Sequence, residues 1–443
     1  MKYNKLLLMC MGVASLLVAT SCNDDDNPSI DDYPLNYEIT EVKAHTDIPV
    51  GCMLVDPYGD LSNAARWERL TEESDKATGH LGPNVMPSLG QYRLLSANPE
   101  LRSEIAQNLG QIVEWAKKAS IDYLITPAIR ESGQYLPHCI HAEDSVFIDL
   151  LSGRDQTQPW HNDGSMKFAI QVNIQDISAK MGCNSNTAPL ENRNDITYRI
   201  KQETEDAVEG EEPIEAEEIV VTITQRERFL NYMRSIAKYF KEDTYYHYEG
   251  RPVLLFREPH QLHTLDIKQL YADIRSVIQG VCGENPYIIA IQENWKPIAR
   301  YSYVVLDGGP DAVMPREMTN IGDAIYERLY KFGVFLNENF KLNRQYLERA
   351  YPGIEYIPSV SAAFNYYICD GRFNYPIIEN SESGFRERCW VAKMNLPANP
   401  MVIIDAFNNW RYGNAIEPTD PNYGNGWGDT YLDIVREEFK LNR

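Results

Sequence analysis

The stretch "IIDAFNNWRYGNAIEP" (403–418) ends an apolar run in side chains that bind or react. It holds the amides of Asn408 and Asn409, the indole of Trp410, the phenol of Tyr412 and the carboxyl of Glu417. Amides and carboxylates hydrogen-bond hydroxyl groups, and flat aromatic faces stack on the apolar faces of sugar rings. Acids also follow other apolar runs: Asp56 in "LVDPYGD", Glu131 in "AIRESG", Glu258 in "FREPHQLH", Glu293 in "IQENW" and Asp307 in "VLDGG". Two carboxyls held about 5–5.5 Å or about 6.5–9.5 Å apart can cleave a glycosidic bond. Glu258 and Glu293 follow consecutive runs and are the preferred catalytic pair. Asp56, Tyr58, Arg257, Trp295, Asp307, Asn408, Asn409, Trp410, Tyr412 and Glu417 make up the expected substrate-binding set, with Trp295 and Trp410 as its main stacking surfaces. The bland alternative for each acid is a salt bridge, and Arg257 beside Glu258 illustrates it.

Other chemistries find little footing. His260 and His263 have H-x-x-H spacing in a loop, which is weak support for a metal, and none is expected. There is no G-x-S-x-G elbow for a serine hydrolase and no G-x-G-x-x-G after the first apolar run for a dinucleotide. No cofactor is expected. The net charge of −22 argues against nucleic-acid or anionic-membrane partners and leaves neutral polymers such as glycans compatible.

The positioning elements are runs that read as strands at 50–55, 122–128, 167–174, 252–257, 287–292, 301–306, 354–360 and 401–407. Most are apolar almost without interruption, as strands buried on both faces should be. Helical patterns fall at 99–119, 226–240, 266–280, 320–348, 384–394 and 428–440. The clearest is 99–119, where Asn98 can cap, Pro99 opens the first turn and Ile105, Leu109, Ile112, Val113 and Ala116 line one face. Eight strands alternating with helices predict an α/β fold, a (β/α)8 TIM barrel over 46–443, with chemistry at the C-terminal ends of the strands. Asn409 and Trp410 should then face the barrel mouth. Two insertions are expected: a long loop over the mouth at 131–165, and 177–224, where "ITYRIKQ" and "EIVVTIT" flank an acidic tip and form a hairpin. That tip, "ETEDAVEGEEPIEAEE", carries nine acids in sixteen residues and lacks the spacing of a calcium loop.

The start of the chain reads as an export signal over 1–21, with Lys2 and Lys5 ahead of "LLLMCMGVASLLVA". "ATSC" resembles a bacterial lipobox, which implies cleavage before Cys22 and lipidation of that residue. Several acyl chains on one residue anchor a protein stably. The acids at 24–26 resemble the surface-export signal of lipoproteins in certain Gram-negative bacteria, and 22–45 would be a polar tether. The implied location is the outer membrane, facing outward. The remaining cysteines are scattered, with no C-x-x-C pair.

Three segments carry a further resemblance. "MPSLGQYRLLSANPELRSEIAQNLGQIVEWAKKASIDYLI" (86–125) is similar to the early segment of WbsX-like domains and family-99 glycoside hydrolases, which place a P-x-L-G-x-Y turn before a long helix. "YYHYEGRPVLLFREP" (245–259) resembles their fourth strand, and the stretch at 403–418 resembles the end of their eighth. The resemblance implies a glycan substrate of the endo-α-mannosidase class and two catalytic glutamates in the last motif. Asn408, Trp410, Gly413, Glu417 and Pro418 match that motif, but Asn409 and Tyr412 stand where the glutamates would be. An amide cannot shuttle a proton near neutral pH, and a phenol with a pKa of about 10 is a poor acid for the task. The expected function is glycan binding at a site degenerate for the family reaction, serving polysaccharide capture alongside outer-membrane glycan-uptake proteins. The alternatives are an active glycosidase using relocated carboxylates such as Glu258 and Glu293, and an interaction barrel with no sugar site.

Overall fold

The computed structural model describes residues 36–57, 64–184, 187–201, 218–292, 309–316, 331–371 and 377–441. The chain divides into Met1–Ile39, of which only 36–39 are described, and Thr40–Arg443. The second unit holds the barrel.

Its strands are β1 (Val50–Met53), β2 (Tyr123–Ile125), β3 (Lys167–Asn173), β4 (Arg251–Arg257), β5 (Tyr287–Gln292), β6 (Ala312–Pro315), β7 in two pieces (Glu355–Tyr356 and Ser359–Val360) and β8 (Val402–Ile404). Each pairs in parallel with its sequence neighbour, and β8 pairs back onto β1 through Val50↔Val402 and Cys52↔Ile404. β7 closes the ring. Its first piece pairs with β6 and its second with β8. Between them Ile357 donates its amide to Val313 and Pro358 accepts from Ile403. Pro358 has no N–H to offer, which explains why the strand is broken there.

Alternate strand residues face two cores. Met53, Tyr123, Ile125, Leu255, Ile289, Ile291 and Ile403 fill the lumen, while Cys52, Leu124, Phe168, Ile170, Leu254, Ile288 and Val402 pack against helices. Burial on both sides produces the unbroken apolar runs. In the lumen the Tyr123 ring lies over Gly51, where an added Cβ would come within 2.4 Å of it. Tyr123 also stacks on Tyr246 at 3.8 Å.

The helices are α1 (Ala64–Thr71), α2 (Arg102–Lys118), α3 (Ala142–Ser152), α4 (Ile174–Met181), α5 (Gln225–Ala237), α6 (Ile267–Cys282), α7 (Phe332–Ala350), α8 (Tyr366–Asp370), α9 (Glu382–Met394) and α10 (Thr430–Phe439). α2 starts as the sequence indicates: the Asn98 side chain accepts from the amide of Glu100, Pro99 opens a single 3-10 turn, and the apolar stripe is buried.

Three expectations need correction. The segment 131–165 is not a loop throughout, because it contains α3, the helix that follows β2. Its pattern is blurred because Asp144 is buried among the apolar residues, where it takes a fork of hydrogen bonds from Arg130. The segment 177–224 likewise starts inside α4. The sixth strand is Ala312–Pro315, whereas the run expected for it, 301–306, lies outside the described residues.

The hairpin forms, with Ile196–Lys201 antiparallel to Glu218–Ile223, and most of its acidic tip lies outside the described residues. The six cysteines from Cys52 to Cys389 form no disulfide with one another. Among the described residues no helix is long and apolar enough to cross a membrane.

Candidate functional site

The C-terminal end of β8 runs directly into the residues of interest. Asp405 is fully buried and receives both arms of the Arg316 guanidinium at 2.6 and 2.5 Å. Arg316 follows the end of β6, so this ion pair reaches across β7. The Asp405 carbonyl accepts from the Ser361 hydroxyl and the Asn414 amide, each at 2.7 Å. From there the chain loops out and returns, with the amides of Ile416 and Glu417 both donating to the Phe407 carbonyl.

Asn408 clamps this loop to the end of β1. Its Oδ1 accepts from the Val55 amide at 2.9 Å, and its Nδ2 donates to the Val55 carbonyl at 3.0 Å. Nδ2 also donates to the Tyr92 hydroxyl at 3.0 Å, and that hydroxyl donates onward to Glu417 Oε2 at 2.9 Å. Trp410 Nε1 donates to the same oxygen at 2.8 Å. Glu417 Oε1 is buried with no hydrogen-bond partner. Full burial pushes the Glu417 carboxyl up to about 8, although its two donors pull the other way. Burial, with Glu417 beside it, drives the Tyr92 phenol well above its ordinary value. A carboxyl of this kind stays neutral at physiological pH.

Trp410 does not face the mouth as a stacking surface. It is 1% exposed, packs with Leu70, Val85 and Ile368, and stacks on Trp427 at 5.8 Å. Trp427 stacks in turn on Tyr431 and donates to the Glu417 carbonyl. The indole faces are occupied by protein, which gives Trp410 a framework role in place of the expected contact with substrate. Asn408 and Glu417 are fully buried and belong to the same framework.

Asn409 and Tyr412 differ from these. Asn409 is 3% exposed, and its buried Oδ1 accepts no hydrogen bond. Tyr412 is half-buried, with its ring at 5.7 Å from Phe364 and 5.8 Å from Tyr366, nearly parallel to both. The Arg411 guanidinium sits 5.2 Å from the Tyr412 ring centre. The Tyr412 carbonyl accepts from the Asn365 amide, which ties this loop to the one after β7. Gly413 follows with φ 63°, a left-handed turn that suits glycine.

Elsewhere around the barrel, Glu258 follows β4 in a left-handed conformation (φ 55°), is buried, and has His260 Nε2 at 3.1 Å from its carboxylate. Arg257 is half-buried at the last position of β4. Asp56 accepts from the Leu94 amide at 2.8 Å, so it helps fix the loop that carries Tyr92. Glu131 is a structural ion-pair partner, gripped by Arg228 at 2.9 and 2.7 Å. Tyr58, Glu293, Trp295, Asp307 and Cys22 lie outside the described residues. The described part of the mouth therefore brings together Asn409 and Tyr412, over a framework of Asn408, Trp410 and Glu417. Among the described residues no group of three or more His, Cys, Asp or Glu is arranged to hold a metal.

Sequence reasoning gave no site role to four contributors. Tyr92 had a visible signal, since it is the tyrosine of the P-x-L-G-x-Y turn. Phe364 and Tyr366 are loop aromatics like many others in the chain, and nothing local marks Arg316 as the partner of Asp405.

No family model and no curated protein matches the sequence. Solved structures do match by fold. A protein described as "Glycoside hydrolase-like protein" superposes with a TM-score of 0.64 at 22% identity, covering 92% of this chain and 98% of its own. A GH99 endo-alpha-mannosidase from Bacteroides thetaiotaomicron superposes with a TM-score of 0.50 at 13% identity, covering 89% of this chain and 97% of its own. The chain thus has a glycoside-hydrolase (β/α)8 barrel fold of the family-99 kind.

Proposed function

We propose that the barrel mouth binds a glycan and holds it without cleaving it by the family's two-carboxylate route. The observation that carries this is the pair Asn409 and Tyr412. At the positions where the resemblance places two glutamates stand a buried amide and a phenol within an aromatic stack. Neither group can deliver and recover a proton near neutral pH. Both suit binding. The Tyr412 and Tyr366 rings provide half-buried faces for a sugar ring, with Arg411 beside them as a donor. The Asn409 Oδ1 is a buried acceptor without a partner, a cost of about 1–3 kcal/mol that a sugar hydroxyl would relieve only where the loop after β8 opens to admit it. Neutral glycans fit a chain with a net charge of −22, and the fold likeness to an endo-alpha-mannosidase favours the α-mannan class among them. With the lipobox cysteine at Cys22, the protein is an outer-membrane surface lipoprotein that captures polysaccharide for neighbouring uptake proteins.

Glu258 supports a second reading. A buried carboxyl in a left-handed conformation at a strand end is a form of strain that clusters at functional sites. In that reading Glu258 acts with Glu293 as a relocated catalytic pair.

A glycan-array screen with product analysis on every hit separates these. Binding that Tyr412→Ala weakens, with the oligosaccharide recovered intact, is the expected outcome. Turnover abolished by Glu258→Gln would establish relocated catalysis, and failure to bind any glycan would leave an interaction barrel. For the anchor, Cys22→Ala should release the protein from the detergent phase, and its retention there would refute lipidation.

A further inference from the structure

We propose that a groove on the outer wall of the barrel is a second glycan site, one that takes a sugar chain bearing oxyanions, either carboxylate or sulfate. It has a volume of about 910 Å³, at the upper end of the ~300–1,000 Å³ of small-molecule sites. The start of α2 forms one wall, the end of α5 another, and α3 the floor. α3 contributes Ala142, Ser145, Val146 and Asp149, whose spacing places them on a single helical stripe. Short side chains along that stripe leave the groove open. The loop between β2 and α3 supplies Ser132, Gln134, Pro137 and His138 at the rim, but no lining residue belongs to a barrel strand or to the loops after β7 and β8, so the groove is distinct from the cluster around Asn409 and Tyr412.

Its charge points to the ligand. The groove is lined by Arg102, Arg154 and Lys238 against only Asp149 and Asp155. Both acids and one of the cations are already engaged. Asp149 accepts from the Tyr239 hydroxyl at 2.9 Å, Asp155 from the Thr157 hydroxyl at 2.5 Å, and Arg154 pairs with Glu242 at 2.5 Å. Among the described residues Arg102 and Lys238 have no carboxylate within ion-pair distance, although Arg102 is near enough to Asp149 and Asp155 to favour their charged forms, and Arg102 Nε is buried without a hydrogen-bond partner. In a chain with 64 acids against 42 bases, a groove lined by three cations and two acids, with two of the cations outside any ion pair among the described residues, stands out from its surroundings. A guanidinium fork fits a carboxylate or sulfate side-on, and an ammonium adds a point charge. His138 and His141 at the rim and the hydroxyl of Ser145 add groups for sugar hydroxyls. The choice of a sugar as the carrier of the anion rests on the glycan reading of the mouth, whereas the preference for an anion does not.

Calorimetry on the purified full chain tests this with three probes: tetragalacturonate for carboxylate, a κ-carrageenan tetrasaccharide for sulfate, and neutral α-mannotetraose. At least one anionic probe should bind, more weakly at high salt. Arg102→Gln, Lys238→Gln and the groove-filling Ser145→Trp should each weaken that binding at least tenfold, and Tyr412→Ala should leave it unchanged. Anionic binding that the groove variants do not alter overturns the proposal. Binding of mannotetraose alone, weakened in Tyr412→Ala, overturns it while keeping the mouth as a glycan site. Anionic binding lost only in the groove variants, with no mannotetraose binding, supports the groove and counts against the mouth. Binding of none of the three overturns both.

Discussion

Glu417 makes stability depend on pH in a direction opposite to that of most carboxylates. Its carboxyl is raised from 4.5 to about 8 by burial, so between those values the folded state holds a proton that the unfolded chain has released. The stabilisation is complete below pH 4.5, declines as pH rises through the window, and is gone above about 8. Each pH unit of the window accounts for up to ~1.4 kcal/mol, which makes ~5 kcal/mol an upper bound for the whole passage. Against a typical total of about 5–15 kcal/mol, that is a large share. Glu417→Gln isolates the effect. The amide keeps an acceptor oxygen for Trp410 and Tyr92 and places an NH2 where the acid form has its proton, in both cases with no acceptor nearby. Denaturant titrations from about pH 5 to about pH 9 should show the variant near wild type at the acid end and progressively more stable than wild type toward the alkaline end. Parallel profiles for the two proteins would mean that Glu417 is ionised in the fold, and the account of a neutral buried acid would fail.

Arg316→Met leaves Asp405 buried and unpaired and should cost about 3–5 kcal/mol in chemical denaturation. Adding Asp405→Asn should recover most of the loss, and a loss that the second change does not recover would point away from the ion pair. Trp410→Ala should cost about 3–5 kcal/mol for a buried indole, whereas Trp410→Phe, which removes part of the buried ring together with the hydrogen bond to Glu417, should cost about 1 kcal/mol more than the lost packing alone. Tyr412→Ala should reduce glycan affinity by about 1–3 kcal/mol with little change in melting temperature, since the ring is only half-buried.

The barrel was legible because its strands are buried on both faces, so Val50–Met53, Lys167–Asn173 and Arg251–Arg257 write themselves as apolar runs. The sixth strand escaped because Ala312–Pro315 is only four residues long and ends in proline, with a stronger apolar run just before it. α3 escaped because Asp144 points inward to Arg130 and breaks the stripe. At the site, the cluster after β8 was visible as a cluster. The direction of each side chain was not, because Trp410 is placed by Trp427, Glu417 and Tyr92 together, and Asp405 by an arginine 89 residues earlier. Such pairings follow from the folded topology and leave no local pattern.

The seam between β1 and β8 has a consequence for assembly. Residue 55 meets residue 408 across 353 positions, and at the other end of β1 the Ile48 carbonyl accepts from Lys440 while its amide donates to Phe439. A chain shortened to end before β8 would leave β1 as an exposed edge with a single neighbour, a liability for mispairing. Contacts of such long separation form slowly because loop closure precedes their reward. The mouth and the last turn of the ring are thus completed in the same event, and no partly folded intermediate that lacks β8 can carry a working site.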